Sequence, residues 1–270
     1  MSDYLPVFEC SGLSDIGPVR EDNQDSIHLP DDGKPSEQGL LFAVADGMGG
    51  YSHGAIASAL AIQKLTETLY NGKGRPNAKS LLRGVENANL SVYKTAERLG
   101  AGKMGTTLTA AYIFGDALHV VHVGDSRAYL IRNQHATCLT SDHTTVGELV
   151  RTRLISPDKI RTHSQRSILT KSIGVGLFVK PDLSHLKLEE DDYIILCSDG
   201  AWSVIEDDEF AQMVIESKRA DQVSKNLVKL ALERKTDDNV SVVTIHLREL
   251  SPDQRNKQQN NAGWFHNRRK

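Results

Sequence analysis

The chain has 270 residues, a length that suits one large domain or two small ones with a sizeable core. Hydrophobic residues make up 39% and charged residues 25%, the balance of an ordinary globular protein, and a formal net charge of −3 argues against a dedicated nucleic-acid binder, which is usually basic. Three cysteines, Cys10, Cys138 and Cys197, are far apart and form no CxxC pair, which fits a reducing compartment and argues against a thiolate zinc site. No apolar run approaches the roughly 20 residues that span a bilayer, and the N-terminal MSDYLPVFEC lacks a signal peptide's layout. The expectation is a cytoplasmic protein with neither membrane nor nucleic acid as partner.

In chain order, Asp32-Gly33 reads as a turn. Leu40–Ala45 (LLFAVA) is short and continuously apolar, a strand buried on both faces. Ala55, Ala59, Ile62, Leu65 and Leu69 recur at steps of three and four and mark one helix face, with Ser52 as candidate cap. Leu81, Leu82, Val85, Val92, Tyr93, Ala96 and Leu99 mark a second helix, stopped by Gly100. Thr106–Phe114 and Leu118–Val123 are rich in β-branched residues and read as strands joined by a hairpin turn at Gly115-Asp116. Arg127–Arg132 follows as a strand, and Asn133-Gln134 turns the chain again. Tyr193–Cys197 (YIILC) is a second apolar run. Gln222–Glu233 predicts a third helix through Val223, Leu227, Leu230 and Ala231, and Val240–Leu247 (VSVVTIHL) is a last strand. This order is not a regular βαβ alternation and predicts α+β layering. Residues 251–270 are polar, Asn/Gln-rich and mildly basic, the composition of a flexible tail; docking of a partner through Trp264, Phe265 and Arg268–Lys270 is the competing reading.

Four strand ends carry carboxylates. Leu40–Ala45 runs into Asp46-Gly47, Leu118–Val123 into Gly124-Asp125, and Tyr193–Cys197 into Ser198-Asp199-Gly200, while Asp237-Asp238-Asn239 immediately precedes Val240. Any one Asp-Gly is most simply a turn. Buried strands that repeatedly end in acids imply that those ends converge, and converging carboxylates repel unless cations sit among them. An oxygen-only donor set favours Mg²⁺ or Mn²⁺. A calcium loop does not fit the spacing of Asp22, Asn23 and Asp25. Arg20 alone would be a surface arginine; beside metal-binding acids its planar fork suits a phosphate. Cysteine-phosphatase chemistry requires an arginine six residues after the cysteine, and those positions hold Ile16, Thr144 and Ser203.

The ordered set VREDNQD, VADGMGG, MGTTLTA, HVGDSRAYL, LTSDHT, ILTKSIG, CSDGAW and DDNVSVV, spread from about Ser14 to Leu247, resembles the bacterial form of the type 2C (PPM) family of metal-dependent serine/threonine protein phosphatases. The resemblance implies a central antiparallel β-sandwich flanked by helix pairs, in α-β-β-α layers. It places a catalytic domain at residues 1–250, with a flap at about 141–166. It implies hydrolysis of phosphoserine and phosphothreonine on proteins, reversing a bacterial Ser/Thr kinase, by a monomer that uses two Mn²⁺ or Mg²⁺ ions and a third, weaker one. Asp46 matches the acid that bridges two metals, and Gly47 the residue whose carbonyl binds the second. Asp199 and Asp238 match the remaining ligands of the first, and Asp125 a third-metal ligand shared with Asp199. Arg20 matches the phosphate-binding arginine and Asp25 an acid that holds waters of the second metal. Asn239 matches a supporting group behind Asp238. In such a centre a metal-bridging hydroxide attacks phosphorus in line, with no phosphoenzyme.

The chain departs from the family at several points. Many bacterial members carry His after GMGG, where this chain has Tyr51, and some eukaryotic members have His where it has Met48. The leaving alkoxide then has three candidate proton donors: His53, Tyr51 and a metal-bound water. Gln24 sits where some members place a second-metal carboxylate, which implies looser binding there. In the flap, Gly147 and Pro157 read as punctuation. Arg151, Arg153, Arg161 and Arg166 read either as a surface for acidic substrates or as solvated loop; the family often has Gly where Arg153 stands. A phosphoprotein-binding module with a dead centre is the alternative function, but such a chain is expected to lose an acid at Asp46, Asp199 or Asp238.

Overall fold

The computed structural model describes residues 6–30, 38–50, 53–72 and 74–251. The Asp32-Gly33 turn, Tyr51, the Ser52 cap and the tail from 252 lie outside them. Eleven strands are present among the described residues: Val7–Asp15 (β1), Asp25–His28 (β2), Leu40–Met48 (β3), Gly105–Thr106 (β4), Leu108–Phe114 (β5), Ala117–Val123 (β6), Arg127–Arg132 (β7), His135–Cys138 (β8), Asp182–Lys187 (β9), Tyr193–Cys197 (β10) and Val240–Glu249 (β11). The helices are His53–Tyr70 (α1), Ala78–Leu99 (α2), Thr145–Arg151 (α3), Asp199–Trp202 (α4), Asp207–Ser217 (α5) and Ala220–Glu233 (α6).

The strands form two antiparallel sheets. One runs β1-β11-β10-β7-β8, the other β2-β3-β5-β6-β9, with β4 paired to β3. Alternation along β3 explains its continuous hydrophobicity. Leu40, Phe42 and Val44 fill the space between the sheets, against Leu130, Ile194, Leu196 and Val243 of the other sheet. Leu41, Ala43 and Ala45 face the helices instead, where α1 and α2 pack through Leu65, Leu69, Leu81 and Val85. On the other outer face, Tyr193, Ile195 and Cys197 meet α5 and α6 through Phe210, Val223 and Leu227. Three apolar layers therefore separate four structural layers, and the α-β-β-α expectation holds.

Local chemistry explains the turns. Asn133 and Gln134 take φ of 51° and 65°, the left-handed pair of a tight hairpin that joins Arg132 to His135. Asn77 caps α2 by accepting from the Lys79 and Ser80 amides, and Gly100 stops it at φ 64°. Gly147, expected to break the flap, lies buried inside α3 instead. Thr144 caps that helix, and a side chain at 147 would meet the Asp142 carbonyl at 2.1 Å. Among the described residues, no helix is long and apolar enough to cross a membrane.

The seam between α1 and α2 is tight: a Cβ on Gly84 would approach Leu65 Cδ1 to 2.6 Å. Leu65 is fully buried. Leu65→Ala is expected to lower the unfolding free energy by about 2–5 kcal/mol in urea denaturation, without change of secondary structure by circular dichroism. A cost below about 1 kcal/mol would mean that the helix pair is not firmly seated on the sheet.

Candidate metal centre and active site

All the marked acids lie at one end of the sandwich, where β2, β7 and β11 begin and β3, β6 and β10 finish. Asp46 takes the next place in the row that Leu40, Phe42 and Val44 send between the sheets. It is therefore a carboxylate where the pattern calls for an apolar residue. Asp25 stands directly across from it on β2. The backbone at 46 is held by two threonines: Thr107 Oγ1 accepts from the Asp46 amide (2.8 Å), and the Thr107 amide and Thr106 hydroxyl both donate to the Asp46 carbonyl (2.8 Å each). Neighbouring Gly47 has no room for a side chain, since a Cβ would lie 2.1 Å from the Gly54 carbonyl oxygen and 2.6 Å from that of Gln24.

The other acids arrive on separate elements. Asp199 opens α4, directly after the buried strand β10. Asp125 sits in the turn after β6, buried, with its carbonyl accepting from Trp202 Nε1 (2.8 Å). Arg127, two residues on, lies 3.6 Å over the Trp202 ring. It also forks onto buried Asp142 with bonds of 2.9 and 2.7 Å. Asp25 Oδ2 accepts from the Ser198 hydroxyl (2.8 Å).

The N-terminal loop is tied to β11 by Asn239. Its Nδ2 donates to the Ile16 and Asp22 carbonyls (2.7 and 3.0 Å), and its Oδ1 accepts from the Gln24 amide (2.9 Å). Gly17, at φ 74°, passes so close to this corner that a Cβ would meet the Asp238 carbonyl oxygen at 2.3 Å. The loop thereby delivers Arg20, whose guanidinium pairs with Asp238 Oδ2 at 2.6 Å while its Nε donates to the Asp237 carbonyl (3.2 Å).

Arg20, Gln24, Asp46, Gly47, Asp125, Asp199, Asp238 and Asn239 all line one cleft of about 1180 Å³. Asp25 lies behind it, and His53, the first residue of α1, is not among its lining. Thr107, Ser198 and the Arg127–Asp142 pair were not singled out from the sequence. The motifs MGTTLTA, CSDGAW, HVGDSRAYL and LTSDHT contain them, but the partner of a side chain far away in the chain is invisible in one dimension.

Crowding governs the electrostatics. Burial, then the charges of Asp199 and Asp238, pushes the Asp25 carboxyl up from 3.8 to about 7, against the hydrogen bonds it accepts. Asp199 rises to about 6, through burial first and Asp238 second. Asp46 and Asp125 are held well above the carboxylate range, again by burial first; repulsion follows, chiefly from Asp25 on Asp46 and from Asp199 on Asp125. One oxygen each of Asp25 and Asp199 is buried without a hydrogen-bond partner. An all-oxygen set with raised carboxyls and orphaned lone pairs fits hard divalent cations. Among the described residues, however, no three acidic, His or Cys side chains close on a single point, and Asp238 is already engaged by Arg20.

The family model described as protein phosphatase 2C matches residues 19–233, and the chain belongs to that family. Serine/threonine protein phosphatase PstP of Mycobacterium tuberculosis is 34% identical over 247 residues, which cover 90% of this chain and 46% of that protein, so the chain spans about half of that relative's length. The Streptococcus agalactiae serine/threonine phosphatase structure superposes with a TM-score of 0.82 at 33% identity, covering 90% of this chain and 100% of that one. The PstP catalytic domain solved with two manganese ions gives 0.78 at 30% identity, covering 90% and 99%.

The raised carboxyls fix the sign of a pH effect. Between 3.8 and about 6, folded Asp199 keeps a proton that the unfolded chain gives up, so its contribution to stability is present below pH 4 and is lost as pH rises through about 6. In EDTA, Asp199→Asn is expected to be more stable than the parent at pH 7 by about 2 kcal/mol, with the gap closing toward pH 4. Parallel urea titrations at several pH values check this, and a variant less stable than the parent at pH 7 contradicts it.

Proposed function

We propose that the acidic cleft is the catalytic centre of a protein-serine/threonine phosphatase, with divalent metal held by Asp46, the Gly47 carbonyl, Asp199 and Asp238, and with Asp125 contributing to a further, weaker site. The observation that carries this reading is the convergence of four carboxylates and Arg20 on one cleft in a chain of the protein phosphatase 2C family. The names of the relatives support the substrate class, and the two manganese ions bound to PstP support Mn²⁺ or Mg²⁺ as cofactor. When bound, such ions acidify a shared water and polarise the phosphoryl oxygens.

The chain's own groups do the rest. Arg20 offers a guanidinium fork to the phosphate, exchanging Asp238 for substrate oxygens. Thr106 and Thr107 fix the backbone at Asp46. Asp25, across the strand pair, has its carboxyl pushed up by burial and by its acidic neighbours, and its Oδ2 is held by the Ser198 hydroxyl. Water displaces the serine or threonine oxygen from phosphorus. The P–O bond breaks, the alkoxide takes up a proton, and inorganic phosphate leaves. His53, Tyr51 and a water remain the three sources of that proton, with His53 set back from the cleft lining.

Residues 141–166 we assign as the flap of a catalytic domain that ends near 250. Of the arginines there, Arg161 is the one firmly committed within the chain, while the pairs of Arg151 and Arg166 lie at the surface. Arg161 donates to the Trp202 and Ile205 carbonyls and pairs with Asp207 at 2.6 Å. Arg151 pairs with Glu148, and Arg166 approaches Asp237 at 3.9 Å. For Arg161 this favours a structural role over recognition of acidic substrates. Three free cysteines support a cytoplasmic setting, where a Ser/Thr kinase would supply the substrates.

With Mn²⁺, the protein is expected to hydrolyse p-nitrophenyl phosphate and a phosphothreonine peptide. EDTA dialysis should remove that activity, Asp199→Asn should lower kcat/KM at least about 100-fold, and Arg20→Ala should act mainly on KM. Activity that survives EDTA, or full turnover by Asp199→Asn, overturns the reading. For the leaving-group proton, His53→Ala and Tyr51→Phe are compared by pH–rate profile on the phosphothreonine peptide. The donor's removal abolishes the alkaline limb, and two unchanged profiles leave water as the acid.

A further inference from the structure

Beside the catalytic cleft lies a second, smaller groove of about 290 Å³. It runs along the last turns of α2, past Tyr93, Ala96 and Glu97, and the two hollows adjoin across Gly102, Lys103 and Val175, which line both. From that shared wall the chain continues into an apolar display. Val175 is 60% exposed, Leu177 51% and Phe178 88%. Three large apolar side chains within four residues form a patch rather than scattered surface hydrophobics.

This loop is held in shape from beneath. Asn89 on α2 is 1% exposed, and its amide is spent on the loop backbone: Nδ2 donates to the Gly176 and Leu177 carbonyls (2.9 and 3.1 Å), and Oδ1 accepts from the Gly174 amide (2.8 Å). Gly174 takes φ 88°, and a Cβ there would lie 2.2 Å from Val92 Cγ1, so the loop sits hard against the helix. A buried amide with all three bonds made specifies one loop conformation. Its apolar side chains are thus presented to solvent by a rigid support.

A protein substrate cannot bring its phosphate into the cleft without bringing its neighbours. Residues two to four positions from the phosphorylated one lie within about 7–14 Å of it along an extended chain, so they meet the surface that adjoins the cleft, where Val175 lines both hollows. We propose that the groove and this loop form a docking subsite for the substrate polypeptide, selecting an apolar side chain, Leu, Met or Phe, two to four residues from the phosphoserine or phosphothreonine. The proposal rests on the phosphatase reading and deepens it. Continuity of the groove with the cleft is what assigns the occupant.

The test uses the full chain with Mn²⁺ and phosphothreonine peptides of Ser background, each carrying one Phe at a position from −4 to +4. One position is expected to raise kcat/KM about tenfold over the peptide without Phe, mainly through KM. The double variant Leu177→Ser/Phe178→Ser is expected to level the profile; both side chains are exposed, so the fold does not depend on them. A flat profile in the parent, or one that persists in the double variant, overturns the proposal. A flat profile with a double variant that changes the sedimentation behaviour, or the response to truncation after Ser251, assigns the patch to a second copy or to the chain's own tail and equally overturns it. Absence of turnover of every peptide and of p-nitrophenyl phosphate overturns the phosphatase reading instead. The same peptides are then compared by fluorescence anisotropy, where equal affinities overturn the docking subsite.

Discussion

Asp25 and Asp46 face each other across the first two strands of one sheet, both acids, Asp25 buried and Asp46 half-buried at the cleft wall. Like charges directly opposite are among the least favourable cross-strand pairs. Yet this register cannot slip, because moving β3 by one residue would turn Leu40, Phe42 and Val44 out of the space between the sheets. The apolar filling of the sandwich thus imposes the acidic pair at its end. What surrounds the pair can be understood as ways of tolerating it: a hydroxyl from Ser198 on Asp25, two threonines on the Asp46 backbone, a carboxyl on Asp25 raised by burial, and a cleft open to cations.

The second constraint is proximity of backbones. At Gly17, Gly47 and Gly200 a single added carbon would fall within 2.3 Å of a carbonyl oxygen. Residues 17 and 200 thus both pass residues 238–239 at main-chain contact, while Gly47 lies against the start of α1 at Gly54. Asn239 ties the corner together, with three hydrogen bonds to residues 16, 22 and 24. The consequence is a site whose acids sit on strand ends but whose cation, Arg20, rides on a loop fixed by one amide side chain. Its position owes as much to Asn239 as to its own ion pair.

The sequence was most legible where burial is two-sided. LLFAVA, YIILC and VSVVTIHL read as strands because neither face meets water, and α1, α2 and α6 read as helices because their apolar stripes face a sheet. The acids at the ends of those strands were legible as a set, since a carboxylate that recurs where buried runs stop marks ends that converge, and four of them line one cleft. The edge strands β1, β2, β8 and β9 were missed, because partly or largely exposed segments such as DLSHLK carry no period worth reading. The short helix α4 was hidden by its role as a turn carrying Asp199. Arg153, where the resemblance leads one to expect Gly, takes φ 60°, a left-handed conformation that favours glycine. The support for the apolar loop was beyond reach, because nothing in a sequence marks Asn89 as the partner of a segment 85 residues away.

The start of the segment 141–166 and the Asp125 turn share one root, and this joins the periphery to the centre. Arg127 and Asp142 form a forked ion pair almost wholly out of water. The next residue, His143, is zipped to the turn twice: its amide donates to the Gly124 carbonyl (2.7 Å), and its Nδ1 accepts from the Gly124 amide (3.1 Å). Removing one partner of such a buried pair strands the other's charge, a penalty of about 3–5 kcal/mol, which is large beside a domain's whole margin of stability. Arg127 also stacks on Trp202, whose indole nitrogen holds the Asp125 carbonyl, so displacing this root displaces that acid too. Among the described residues, α3 and the turn at Pro157–Lys159 contribute no side chain to the cleft lining. Sequence variation there can reshape the surface beside the cleft while the acids stay where the sandwich puts them.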